Sequence, residues 1–265
     1  MKSVPVIVIT GCSRGIGRAL AKSLGEKNYR VVATARHRES LADLPVQARL
    51  TLDVTKTEDV KNASELVKEQ FGRIDVLINN AGIALKGSVE DVTEGQWQHL
   101  FDVNVMGPVR MIQAFAPHFR QQGHGRIVNV TTLSTVWGTP FLGTYAGSKA
   151  ALETVSMALG RELSPWGISV IVLRIGLTDT ELLAKSHERS ERWVTPRSPY
   201  WQQYQTGEKI FNRIRRYALR PEIVVRDIER VINRPHPRAV WTIPWSARVS
   251  EKIMPFVRIL KIGRR

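Results

Sequence analysis

Two residues one helical turn apart carry the most chemical information in this sequence. Tyr145 and Lys149 stand at i and i+4, a spacing that puts both side chains on one face of a helix. A free phenol has a pKa near 10, too high for efficient proton exchange at neutral pH. A neighbouring ammonium favours the phenolate and lowers that value toward a working range, so the pair reads as a proton-transfer device. Alone, the same spacing also describes a helix start with a solvated lysine, and other residues must decide.

The next group is Thr10-Gly11-Cys12-Ser13-Arg14-Gly15-Ile16-Gly17. Glycines there allow a tight turn and close backbone approach, and a helix that starts there offers N–H groups and a partial positive charge to a pyrophosphate. The spacing is G-x3-G-x-G rather than G-x-G-x-x-G, and turns use glycine without any ligand. Its place between a first strand and a first helix is what points to a nucleotide. At the end of the second strand a carboxylate would bond a ribose 2′-OH and repel a 2′-phosphate. Ala35-Arg36 stands there instead, followed by His37-Arg38, and Arg14 is a second nearby cation. Guanidinium forks match phosphate oxygens, so NADP(H) rather than NAD(H) is the expected cofactor; ordinary surface cations are the alternative.

The elements that must position these groups alternate. Segments 4–10, 30–35, 49–52, 74–78, 126–131 and 168–173 read as strands, and 15–26, 57–70, 96–122 and 145–163 as the helices between them. That order predicts a doubly wound α/β domain with a parallel sheet, one domain spanning 1–265. Gly107-Pro108 predicts a kink or break in the helix over 96–122. Past residue 176 the alternation fades into a lobe over 177–220 rich in aromatics, predicted to be irregular and helical. A helix near 221–232, a strand at 240–243 and a basic tail over 246–265 complete the chain.

Thr10–Gly17, Asp53-Val54, Asn79-Asn80-Ala81-Gly82, Asn104 and Tyr145-x3-Lys149 resemble, in order and spacing, the short-chain dehydrogenase/reductases. The resemblance covers residues 4 to about 180. It implies a single Rossmann-like domain with a seven-stranded parallel sheet, in which Asp53 and Val54 hold the adenine and Asn80, Ala81 and Gly82 border the nucleotide. It further implies that Tyr145 protonates a carbonyl oxygen as hydride arrives from the nicotinamide, and that Lys149 binds the nicotinamide ribose. Asn104 would hold a water that relays protons to Lys149. A homodimer or homotetramer through the two long helices is also implied.

Two departures stand out. The family places a serine thirteen residues before the tyrosine to bond the substrate oxygen; Thr132 is there, with Ser134 two residues on. A threonine hydroxyl donates the same bond, although its methyl restricts the rotamer, so Thr132 is expected to serve and Ser134 is the alternative. Where the family commonly has Pro-Gly, this chain has Ile175-Gly176. Gly176 still permits close approach to the cofactor, with Thr178 or Thr180 in reach, but a turn without proline predicts a looser segment from 177 onward.

The formal net charge is +15, and the basic residues are spread along the chain. Such a balance permits nucleic-acid binding, but no recognition motif appears, so none is expected. The single cysteine, Cys12, excludes an internal disulfide, and the six histidines lack metal-ligand spacing. No signal-peptide h-region begins the sequence, and no stretch approaches the ~18–20 apolar residues of a membrane span. A metal-free, cytoplasmic protein is expected, with peripheral membrane contact through the basic tail, or docking of that tail on the domain, left open. The lobe aromatics either cover a bulky apolar carbonyl or alcohol substrate, such as a steroid, retinoid or other lipid, or simply pack the lobe. An active oxidoreductase is the favoured reading. A nucleotide sensor without turnover, an epimerase or dehydratase on the same fold, and a basic nucleic-acid binder are the competitors.

Overall fold

The run Val6-Ile7-Val8-Ile9 is β-branched throughout and wholly buried, which requires cover on both faces of a sheet. In the computed structural model, which describes residues 4–27, 29–182, 186, 190 and 193–244, this run is β1 (Val6–Ile9). The others are β2 (Arg30–Ala35), β3 (Ala48–Thr51), β4 (Val76–Asn79), β5 (Gly125–Thr132), β6 (Ile168–Ile175) and β7 (Val240–Ile243). They form one seven-stranded sheet in the order β3-β2-β1-β4-β5-β6-β7, and every pairing is parallel.

Alternate side chains of β1 feed two cores. Ile7 and Ile9 pack with Leu20 and Leu24 of α1 (Gly15–Gly25) and with Val224 and Ile228 of α8 (Pro221–Ile232). Val6 and Val8 pack with Val60 and Val67 of α2 (Thr57–Phe71) and with Phe115 and Phe119 of α4 (Gly107–Gln122). Leu163, at the end of α6 (Gly143–Leu163), closes the second layer.

The long helix expected over 96–122 is divided. Thr93, whose N–H is taken by the Gln96 side chain at 2.8 Å, starts α3 (Glu94–Phe101). A π-helical turn, Asp102–Met106, follows, and α4 begins at Gly107 with Pro108 in its first turn. Pro108 has no N–H to continue a ladder, and a Cβ on Gly107 would stand 2.7 Å from a Val54 methyl. The break expected there is therefore built as a π turn, a feature that recurs at functional sites. Pro117, by contrast, lies inside α4.

The lobe contains α7 (Trp201–Arg215), while α5 (Ser134–Trp137) is a single turn after β5. Tyr204, 2% exposed, donates to Asp91 Oδ2 at 2.6 Å and accepts the Ser88 N–H at 2.6 Å. Ser198 donates to the same carboxylate, Trp193 Nε1 donates to the Lys86 carbonyl, and Lys86 pairs with Glu208. The start of the segment expected to be looser is tied to its neighbours. β6 runs on to Ile175, the Gly176 N–H bonds the Ile243 carbonyl at 2.8 Å, and residues 177–179 bond to Leu219. Backbone bonds on both sides replace the rigidity that proline would give. The tail over 246–265 lies outside the described residues. No described helix is long and apolar enough to cross a membrane.

Candidate active site

Parallel strands all end at one edge of the sheet, and a crevice opens where the crossovers diverge, between β1 and β4. The chain leaving β1 meets the chain leaving β4 there. Gly11 (φ +73°) has no room for a side chain, since a Cβ would stand 2.8 Å from Ala81 Cα. Gly17 is tighter still, with its Cβ position 2.3 Å from Asn80 Nδ2 and 2.4 Å from the Gly11 carbonyl. The Asn80 amide staples the two loops, donating to the Thr10 carbonyl at 2.9 Å, and the Thr10 hydroxyl accepts the Asn80 and Ala81 N–H groups at 3.0 Å each.

The first turn of α1 has neither a side-chain cap nor an acidic residue, so its N–H groups keep their capacity for an anion. Cys12 beside it is an inert thiol, pushed up to about 12 by burial. The residues present fit a dinucleotide: a glycine cradle, an uncapped helix start, and cations in the same cavity.

That cavity, about 450 Å3, is lined at one end by Gly11, Ser13, Arg14, Gly15 and Ile16, with Arg36, Asp53 and Val54 beside them. Asn80, Ala81 and Gly82 also border it. Asp53 accepts the Thr55 N–H and hydroxyl at 3.0 and 2.8 Å. Burial raises its pKa, but those bonds and the Arg36 and Lys56 cations outweigh burial and hold the carboxyl below its usual range. Arg14 lies 3.8 Å from Glu181, a solvent-exposed pair that leaves it weakly held.

The other end brings together Thr132, Ser134, Tyr145 and Lys149; Gly176, Thr178 and Thr180 also line the cavity, Thr180 lying 3.5 Å from the Cβ position of Gly15. Thr132 closes β5 and Tyr145 opens α6, and the α5 turn between them lets the two meet. Both sequence candidates for the substrate oxygen lie here: the Thr132 hydroxyl is 3.3 Å from the Ser134 hydroxyl and accepts the Ser134 N–H at 3.2 Å. Of the two, Thr132 is the hydroxyl whose interaction is felt at the Tyr145 phenol, pulling its pKa down. Thr178, buried, bonds the Gly176 carbonyl at 3.0 Å.

Two expected site residues do not reach the cavity wall. Gly17 lies beneath Asn80 and Gly11, so its contribution is close packing. Asn104, fully buried on the π turn, sits behind Gly82; it bonds Ile83 twice at 2.9 Å and the Ser148 hydroxyl at 3.0 Å. Both of its amide hydrogens are thereby engaged.

The expected fall in the Tyr145 pKa is also not what is found. Burial pushes the phenol up to about 12, against the pull of its bond with Thr132. No lowering by Lys149 is felt at the phenol; the Lys149 ammonium donates to the Val130 carbonyl at 2.9 Å and is itself brought down to about 8 by burial. The phenol is therefore held protonated at neutral pH.

Sequence reasoning missed a buried charge cluster behind this pair. Glu153, 5% exposed, accepts two bonds from Arg174 of β6 at 3.0 and 2.7 Å. The same carboxylate takes the hydroxyls of Thr131 at 2.8 Å and Thr135 at 3.0 Å, and its charge favours the Lys149 ammonium. Glu153 follows Lys149 at i+4, so the spacing was available; the pairing with a strand distant in sequence was not.

Comparison with known proteins agrees with this architecture. The family profile described as short chain dehydrogenase matches residues 5–191. The 3-ketodihydrosphingosine reductase of Bacteroides thetaiotaomicron is 31% identical over 237 residues, covering 88% of this chain and 85% of that protein. A short chain dehydrogenase/reductase from Burkholderia phymatum, solved in complex with NAD, superposes with a TM-score of 0.80 at 23% identity, covering 98% of this chain and 95% of that one. A short chain dehydrogenase from Burkholderia cenocepacia, solved in complex with NADP, gives 0.76 at 23% identity, covering 97% and 95%. This chain belongs to the short-chain dehydrogenase/reductase family of oxidoreductases.

Proposed function

We propose that this chain is an NADP(H)-dependent carbonyl reductase, or secondary-alcohol dehydrogenase, for a bulky apolar substrate. One observation carries the reading: Thr132, Tyr145 and Lys149 converge at one end of a cavity whose other end presents an uncapped helix start and Arg36. NADP(H), when bound, supplies or accepts the hydride. Relatives of this fold have been solved with NAD and with NADP, so the cofactor choice belongs to local residues. Arg36 in place of a carboxylate at the end of β2 supports the phosphorylated form.

The roles of the chain's own groups follow from their geometry. Thr132 donates a hydrogen bond to the carbonyl oxygen and orients it. Tyr145 then gives that oxygen its phenolic proton, completing the alcohol as hydride reaches the carbon. Tyr145 carries its proton at neutral pH, so the donor form is the resting one. Lys149, whose ammonium donates to the Val130 carbonyl at 2.9 Å, holds the nicotinamide ribose; Asn104 fixes the Ile83 backbone behind Gly82. The wall opposite includes Leu142, Phe211 and Ile214, apolar groups suited to a hydrocarbon. The relative named for reduction of 3-ketodihydrosphingosine supports a lipid-like ketone. Assembly as a homodimer or homotetramer through α4 and α6 belongs to the same reading.

The test is NADPH consumption against a panel of long-chain 3-keto, steroid, retinoid and aromatic ketones. Turnover of an apolar ketone that falls by about 10²–10⁴ in Tyr145→Phe, with NADPH binding unchanged, is the expected result. Tight NADPH binding with no turnover on any ketone would favour the nucleotide sensor or the epimerase and dehydratase readings.

A further inference from the structure

A charged side chain buried in a cleft needs a counter-charge, and the one beside Lys149 comes from its own helix. Lys149 and Glu153 are i and i+4 on α6, both buried, so their faces coincide. The Glu153 carboxylate is oriented from three further elements. Arg174, the penultimate residue of β6, forks onto Oε2 through Nε and Nη2; Thr131 of β5 and Thr135 of α5 both give hydroxyls to Oε1. The Thr135 hydroxyl also lies 2.9 Å from the Thr132 carbonyl. One carboxylate therefore touches the helix that carries Tyr145 and Lys149, the strand end that carries Thr132, and the strand end that leads into Ile175-Gly176.

We propose that Glu153 is a positioning residue of this site: its carboxylate is the counter-charge that keeps the Lys149 ammonium in the cleft, and through Thr131 and Thr135 it fixes the strand end that carries Thr132. Arg174 is the other half of the device. It fixes the direction of the carboxylate through its two bonds to Oε2, and it holds β6 against α6 at the position where proline is missing. A bidentate guanidinium contact is well suited to this, because it fixes direction as well as charge.

The groups facing the cluster are few. On α6 they are Tyr145, Lys149 and Glu153, and on β6 Arg174. β5 and α5 contribute the neutral Thr131, Thr132, Ser134 and Thr135, and the π turn contributes the neutral Asn104. Across the cavity, α3 adds His99 to the wall, and the nucleotide end adds Arg14, Arg36 and Asp53. Of these, Glu153 is the negative charge on Lys149's own helix face, so its removal must be felt at Lys149.

The experiment uses the full chain with lysines labelled at Cε, the Lys149 resonance being assigned by its loss in Lys149→Met. Its titration midpoint is read by NMR in the wild type and in Glu153→Gln, an isostere that removes only the charge. The midpoint should move toward acid by about one pH unit, the smaller end of the effect of an opposite charge at close range. The alkaline limb of kcat/KM for ketone reduction should move the same way. Should Glu153→Gln fold poorly because Arg174 loses this carboxylate, the double variant Glu153→Gln/Arg174→Met is compared with Arg174→Met alone, so that the two proteins again differ only in the Glu153 charge. An unchanged Lys149 midpoint in a folded variant overturns the proposal. The kinetic arm rests on the reductase reading, and the NMR arm does not. A shifted midpoint in a protein that reduces no ketone would sink that reading while leaving the assignment of Glu153 to Lys149 in place.

Discussion

At the scale of single residues, the site divides its labour between two hydroxyls and two cations. The Thr132 and Ser134 hydroxyls lie 3.3 Å apart, yet Thr132 is the one whose interaction is felt at the Tyr145 phenol. Thr132→Ala should therefore lower kcat by about 10²–10³, the usual loss of one donor to a reacting oxygen, while Ser134→Ala changes it little. The reverse pattern in steady-state kinetics would move the role to Ser134. At the nucleotide end, Arg36 lines the cavity where β2 stops, and Asp53 feels its charge. Arg36→Asp should shift the ratio of kcat/KM for NADPH over NADH toward NADH by about 10–100-fold. That corresponds to one charged hydrogen bond of about 1.5–3 kcal/mol. An unchanged ratio would return Arg36 to the status of a surface cation. These residues were legible in the sequence because each sits at a fixed step from a strand end or from another motif residue. Glu153 and Arg174 were not, because their meeting depends on how α6 lies across β6.

At the scale of elements, the lobe is held by a buried polar clasp rather than by its helix alone. Tyr204 bridges Asp91 and the Ser88 N–H, and its ring lies 4.6 Å from that of Phe141. Tyr204→Phe leaves a buried N–H without its acceptor, a loss of about 1–3 kcal/mol. Both a lower Tm and a higher KM for an apolar ketone are expected, with kcat little changed. A lower Tm with unaltered KM would separate the clasp from substrate cover. The lobe aromatics divide between two places. Tyr204 and Trp193 pack the lobe onto the domain, and Phe211 lines the cavity. Composition could not divide them, since the choice depends on which face of α7 meets the 84–93 loop.

At the scale of the whole molecule, the site carries an electrostatic load that stability should report. Lys149 lies near 8 in the fold against an ordinary 10.5. Below pH 8 both folded and unfolded chains hold the proton, and the fold bears the burial of an ammonium. Between about 8 and 10.5 the folded chain releases that proton while the unfolded chain keeps it, so stability from this group rises with pH across that window. Lys149→Met removes the titration. Its Tm should exceed that of the wild type at pH 7, and the difference should close as pH approaches 10.5. A variant less stable at pH 7 would mean that pairing with Glu153 outweighs burial.

The sequence by itself determined the alternation of strands and helices, the glycine turn after β1, the break at Gly107-Pro108 and the shared helix face of Tyr145 and Lys149, the pair proposed to react. Each of these is a local property, fixed by periodicity, by missing side chains or by spacing along one helix. Only the tertiary structure decided that Asn104 lies behind the cavity wall and that Ile175-Gly176 is pinned by Ile243. It also decided that Tyr145 is held as an acid rather than eased toward the phenolate. The reason is common to all three. Burial and hydrogen-bond partners come from elements far apart in the chain, and desolvation, which sets the charge state of Tyr145 and Lys149, exists only once the sheet and both helical layers have closed around them.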